Sequence, residues 1–168
     1  MIGLIVLIHM KQKTSLLSFL ALLAGASLFT VVAQADSSSA DHAAWMTDFD
    51  AAKAKAEAEN KPMLVDFTGS DWCIWCIKLD KEVFSKQAFR DYAAENFILV
   101  EIDFPRKKEQ PAELKAQNEA LAKKYGIRGF PTILILDADG EVIKRTGYVR
   151  GGAEKYVEHL REILASAG

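Results

Sequence analysis

The chain predicts an α/β fold, with a mixed central sheet and helices on both faces, on three observations. Helical and strand-like apolar periodicities alternate along its middle, the last third switches to a strand–turn–strand pattern, and the length suits one domain. Strands separated by helices pair in parallel through crossovers, whereas a tight turn makes an antiparallel pair, so a chain with both builds a mixed sheet. Removing an N-terminal segment of 35 from the 168 residues leaves 133, enough for one substantial core and too few for two.

The elements follow in order. Ala44 to Asn60 is Ala-rich and reads as a helix with Trp45, Phe49, Ala52 and Ala56 on one stripe, stopped by Lys61-Pro62. Met63 to Phe67 is a short apolar strand interrupted by one acid, Asp66. Helical spacing resumes at Cys73, with Ile77 and Val83-Phe84 continuing its buried side, and a second helical piece from Lys86 to Glu95 follows a kink. Phe97 to Ile102 is rich in β-formers and reads as a central strand. Phe104 to Pro111 is a charged loop bracketed by prolines, and Ala112 to Tyr125 is a helix ending at Gly126. Thr132 to Leu136 is a strand, Asp137-Ala138-Asp139-Gly140 a turn, and Glu141 to Thr146 the returning antiparallel partner. Gly151-Gly152 then releases a C-terminal helix from Ala153 to Ala165. The chain contains no internal repeat and no low-complexity tract.

Residues 1–35 have the pattern of a signal peptide. Lys11 and Lys13 precede an apolar stretch from Leu16 to Ala33, and Ala33-Gln34-Ala35 offers the small-x-small pattern of a cleavage site. The residues before Met10 are apolar up to His9 and carry no Lys or Arg, so translation starts at Met1 or Met10. Export to a bacterial periplasm is the expectation; an uncleaved membrane anchor is the alternative, because 18 apolar residues reach the lower edge of a bilayer span. No cysteine stands near the cut to take a lipid. Residues 36–43 are small and polar, a flexible leader to a domain spanning 44–168. Beyond residue 35 the chain holds 19 basic and 23 acidic residues, which argues against a nucleic-acid partner.

Cys73 and Cys76 are the only cysteines, in the run Trp72-Cys73-Ile74-Trp75-Cys76 just after the first strand. In an oxidising compartment such a pair is either a structural bond or a catalytic one. If Trp72 ends a strand-to-helix loop, Cys73 sits in the first turn of a helix, where unpaired N–H groups and the helix dipole stabilise a thiolate. Cys76, one turn later, falls on the same face and can close a disulfide. So small a ring restrains little of the unfolded chain and is a poor staple; reversible opening is its better use. No histidine stands at metal-ligand spacing from the pair: His9 lies in the signal segment, His42 in the leader and His159 on the last helix. The acids of Asp137-Ala138-Asp139-Gly140 lack the other ligands of a calcium loop. Neither a metal nor a cofactor is expected.

Val65-Asp66-Phe67, Trp72-Cys73-Ile74-Trp75-Cys76 and Gly129-Phe130-Pro131-Thr132, in that order and spacing, resemble the thioredoxin superfamily over nearly all of residues 44–168. Asp71-Trp72-Cys73-x-x-Cys76 with Lys78, Asp80 and Phe84 is most similar to exported thioredoxin-like proteins and to the C-terminal domain of the bacterial thiol:disulfide interchange protein.

The resemblance implies a thioredoxin-like fold and thiol–disulfide oxidoreductase activity toward protein substrates, with electrons from a membrane partner. It makes Cys73 the exposed nucleophile and Cys76 the buried resolving thiol. Pro131 corresponds to the family's cis-proline opposite the cysteines, and the backbone of Phe130 to the edge that pairs with a substrate chain. Asp66 corresponds to the buried acid that takes the proton Cys76 must lose, although this chain has one residue more between Asp66 and Cys73 than typical thioredoxins. Asp80, four residues after Cys76, is a second carboxylate expected beneath the cysteines. Trp75 departs from the family's Gly-Pro, which leaves the direction of exchange open, and with Trp72 it is a candidate for contacting apolar substrates. Lys78 and Lys81 either assist the Cys73 thiolate or form a solvated helix face. A second reading keeps the scaffold and locks the cysteines, giving a non-catalytic module that binds a client or assembly partner.

Overall fold

The computed structural model describes residues 45–167; the segments read as signal peptide and leader, with His9 and His42, lie outside them. Among the described residues, five α-helices, α1 (Phe49–Glu59), α2 (Ile74–Leu79), α3 (Gln87–Asn96), α4 (Ala112–Lys124) and α5 (Gly152–Ala167), surround four strands, β1 (Met63–Thr68), β2 (Ile98–Asp103), β3 (Thr132–Leu136) and β4 (Val142–Thr146). The strand order is β2-β1-β3-β4, with β1 parallel to β2 and antiparallel to β3, and β3 antiparallel to β4. This is the expected mixed sheet.

Alternation along the strands divides the core into two layers. Met63, Val65 and Phe67 of β1 join Ile98, Val100 and Ile102 of β2 against α1 and α4, through Phe49, Ala52, Ala56, Leu121 and Tyr125. Leu64, Leu99, Ile133 and Ile135 face the other way, onto Leu79, Val83, Phe84, Phe89, Tyr156 and Leu160 of α2, α3 and α5 and their connections. Helices therefore cover both faces. Asp66 has the same parity as Leu64, which turns its carboxyl toward the layer that carries the cysteines.

Three local expectations are corrected. The first helix begins at Phe49, because Asp48 takes an extended backbone and its carboxylate accepts the Ala51 N–H at 2.9 Å as an N-cap. Trp45 is thus not on the α1 stripe; its ring packs on Phe84 in the opposite layer, at 5.0 Å between centroids. The strand read as central, β2, is at the edge of the four-stranded ladder. Its composition misled because helices bury both faces, and its outer edge is covered by Met46, which donates its N–H to Leu99 O and accepts from Glu101 N. Ile77, expected on the buried side of α2, is 46 % exposed. Cys76 and Leu79 take the buried side of α2 in its place, while Val83 and Phe84, in the π-helical segment Asp80–Phe84, are buried as expected. That segment is the expected kink before α3.

Candidate active site

Between β1 and α2 the chain runs through Gly69, Ser70, Asp71 and Trp72, and each is tied down. Gly69 O accepts from Trp72 N at 3.2 Å and from Cys73 N at 2.9 Å. A Cβ on Gly69 would lie 2.5 Å from the Trp72 indole, so glycine is required for the ring to fold back over its own turn. Ser70 donates its N–H and its hydroxyl to the two carboxylate oxygens of Asp103, at 2.9 and 2.6 Å. Asp71 accepts three backbone N–H groups, from Arg106, Lys107 and Lys108, at 3.0, 2.7 and 3.1 Å. These bonds stabilise the ionised form and hold the Asp71 carboxyl below the ordinary carboxylate range. Trp72 donates Nε1–H to Phe104 O at 2.8 Å, packs edge-on against Phe130 and lies under the Arg106 guanidinium, 3.6 Å from its centroid. The loop before the cysteines and the charged loop 104–111 are thereby fixed to each other.

Cys73 is the N-cap of α2, one position before the expected first turn, and its Sγ accepts the Cys76 N–H at 3.2 Å. The two sulfurs are joined as a disulfide, with Cα atoms 5.2 Å apart. Cys73 is 7 % and Cys76 4 % exposed, so the expected contrast between an open nucleophile and a covered partner is small in the disulfide form. The residues between them are open instead: Ile74 is 74 % and Trp75 48 % exposed. Trp75 packs on Tyr148, with Lys78 Nζ 5.3 Å from both ring centroids. Lys78 also pairs with Glu82 at 3.7 Å, while Lys81 is exposed. The Phe130–Pro131 peptide is cis, and Phe130 is wedged between Trp72 and Phe104.

A cleft of about 320 Å³ opens beside Cys76, lined by Asp66, Thr68, Asp80, Glu101, Lys108 and Phe84 among others. Asp66 is buried and its Oδ1 has no hydrogen-bond partner among the described residues. Burial foremost, then the negative charges of Glu101, Asp103 and Asp80, raise its carboxyl well above the ordinary range. Asp80 is placed differently from expectation: it is exposed at the rim of the cleft rather than beneath the cysteines. The acid adjacent to Asp66 is Glu101, its register partner across the β1–β2 pair, half-buried and also raised, by burial and by Asp103 and Asp80. Sequence reasoning missed Glu101. It is the one acid in the run Phe97 to Ile102, and only the pairing register brings it beside Asp66. Tyr148 and Arg106 were missed as well, because both reach the cysteine loop from remote segments.

The profile of the thioredoxin-like domain matches residues 49–163. The chain belongs to the thioredoxin-like family. It is 37 % identical over 109 residues to the disulfide bond reductase DsbH of Chlamydia pneumoniae, a match covering 65 % of this chain and 66 % of that protein. It is 30 % identical over 113 residues to the thiol:disulfide interchange protein DsbD of Yersinia pestis, covering 66 % of this chain and 17 % of that one. A solved structure of a DsbH oxidoreductase superposes with a TM-score of 0.70 at 34 % identity, over 73 % of this chain and 84 % of that one. The similarity expected from the cysteine motif is therefore found. The chain matches just under two thirds of the curated DsbH and a small part of the much longer DsbD.

Proposed function

We propose that this thioredoxin-like protein reduces or isomerises disulfides in exported proteins and is recharged by a membrane-bound dithiol donor. Residues 1–35 supply export to the periplasm in this reading, with cleavage after Ala35. The observation that carries it is the joint placement of the cysteines: Cys73 caps α2 with an N–H aimed at its sulfur, and Cys76 borders a cleft that holds Asp66, a buried acid whose proton affinity is raised by burial.

In the reduced protein, Cys73 thiolate attacks one sulfur of a substrate disulfide. One S–S bond forms as another breaks, and the released substrate thiolate takes up a proton. The Cys76 N–H that reaches Cys73 Sγ favours the thiolate over the thiol. Cys76 then loses its proton and attacks Cys73 Sγ, releasing the second substrate thiol and closing the Cys73–Cys76 disulfide. Two electrons pass to the substrate. Asp66 is the base for that proton, and Glu101 is a positioning residue whose charge keeps the Asp66 carboxyl hungry for it. Trp72, Trp75, Phe130 and Pro131 form the substrate-facing wall, and Asp80 adds charge at the rim. The name of DsbH, a disulfide bond reductase, supports the reducing direction.

Cys76→Ala tests this reading. It removes the resolving thiol, so mixed disulfides between Cys73 and client proteins should accumulate on non-reducing gels and disappear in Cys73→Ala. A scaffold with locked cysteines would trap nothing and keep its partners non-covalently. Equilibration with glutathione buffers, followed by thiol alkylation, sets the direction: a potential near the thioredoxin end of the range means reduction.

A further inference from the structure

Next to the cysteine loop lies a second, larger cleft of about 700 Å³, lined by Lys78, Lys81, Lys86 and Arg150 with Glu82, Tyr148 and the Gly151-Gly152 backbone. The chain as a whole is formally −2, so four cations around one hollow run against its overall charge. Glu82 within the cleft is engaged already, accepting from the Tyr148 hydroxyl at 2.5 Å and pairing with Lys78. Glu154 approaches Gly152 at the edge. Lys81, Lys86 and Arg150 are exposed and form no salt bridge with a described residue. Four converging cations with one partly neutralised acid leave a positive potential that an anionic ligand would satisfy.

The cleft is continuous with the redox loop. Tyr148 on its wall packs on Trp75, the residue before Cys76, and Lys78 spans both rings. Lys78 is five positions after Cys73, a helical rise of about 7.5 Å. That is about the reach of two extended residues. Ile74 and Trp75, both open, cover the interval. A polypeptide whose cysteine meets Cys73 would lay its neighbouring residues over an apolar step and then into a basic hollow.

We infer that the Lys78–Lys81–Lys86–Arg150 cleft binds an acidic segment of the substrate polypeptide, a few residues from the disulfide being exchanged. The inference rests on the redox reading for the orientation of that segment, but not for the binding itself. The occupant is a peptide carboxylate cluster rather than a free small anion, because the hollow is large, open and joined to an apolar strip suited to side chains.

Fluorescence anisotropy of labelled short peptides on the purified oxidised protein tests it. One peptide carries serine in place of cysteine, an apolar neighbour and a run of Asp and Glu; its control has Asn and Gln in their place. The acidic peptide should bind more tightly, should weaken as salt is raised, and should lose about tenfold in affinity in K81Q/K86Q/R150Q, three rim charges each worth a few-fold. Equal binding of the two peptides, or an unchanged affinity in the triple variant, overturns the inference. Inorganic phosphate competing as well as the acidic peptide at equal charge would also overturn it, in favour of a small-anion site. Cystine versions of the same peptides separate this result from the redox reading: acidic peptide bound but never reduced would sink the enzyme and leave the cleft. The triple variant should keep the parent's glutathione equilibrium, since none of its three residues touches the cysteines.

Discussion

Asp66 and Asp71 stand five residues apart at the two ends of the loop that delivers Cys73, and the fold treats them in opposite ways. Asp66 is buried, with an oxygen that finds no donor and acids on the neighbouring strand and rim. Asp71 is only partly covered and accepts three backbone N–H groups. Burial without donors favours the proton; donors without burial favour the charge. The same residue type is thus a proton acceptor in waiting on one side of the loop and a permanent anionic clasp on the other. Loops 69–72 and 104–111 can be rigid because the clasp stays ionised, while the acid below Cys76 remains free to change state.

The largest test of that contrast is Asp66→Asn. Resolution of the mixed disulfide should slow by roughly a hundredfold, the lower end of what a positioned base contributes, in a single-turnover assay at neutral pH. An unchanged rate would remove Asp66 from the mechanism. The same variant carries a stability prediction of definite sign. The folded protein holds the Asp66 proton more tightly than the unfolded chain, so this group's contribution is full below pH 3.8 and is lost as pH rises toward the raised folded value. Asn does not titrate. Asp66→Asn should therefore be more stable than the parent at pH 7, with the gap closing near pH 4, as read by urea denaturation at both values.

Gly69→Ala attacks the loop without touching either acid. Its new methyl must displace the Trp72 ring, which should break the Nε1–Phe104 hydrogen bond and lower stability by about 1–3 kcal/mol, the usual range for overpacking. A crystal structure or thermal melt unchanged from the parent would contradict this. Asp71→Ala should act more locally. Hydrogen exchange at the Arg106, Lys107 and Lys108 amides should accelerate while strand amides stay protected; the pH dependence of the Asp71 contribution is the reverse of that of Asp66, stability being lost as pH falls below 3.8. The smallest effect belongs to Glu101→Gln. Removing the neighbouring charge should lower the Asp66 carboxyl and move the pH midpoint of the resolution rate downward, with little change in melting temperature. A midpoint that stays in place would make Glu101 a bystander.

Much of this was legible along the chain. Strand and helix assignments for Met63 to Phe67, Ala112 to Tyr125 and Thr132 to Leu136 follow from apolar period and turn residues, both local properties, and the structure matches them within a residue at each end. Cys73, Cys76 and the cis Phe130–Pro131 peptide stand in motifs short enough to recognise. Two errors share a cause. Trp45 matched a helical stripe but was peeled off by the Met46 bridge to β2, and Phe97 to Ile102 resembled a central strand because helices cover both its faces. In each case a contact distant in sequence overrode a correct local pattern.

The sequence by itself determined the alternating core, the dithiol pair and its place after the first strand, because burial period and chain order are written in neighbouring residues. The tertiary structure alone decided which acid stands beside Asp66. Asp80 shares a helix with Cys76, yet it lies exposed at the rim, while Glu101, some 25 residues downstream of the motif, is set beside Asp66 by strand register. Proton affinity depends on burial and on charges a few ångströms away, and those distances come into being only when β1 and β2 pair.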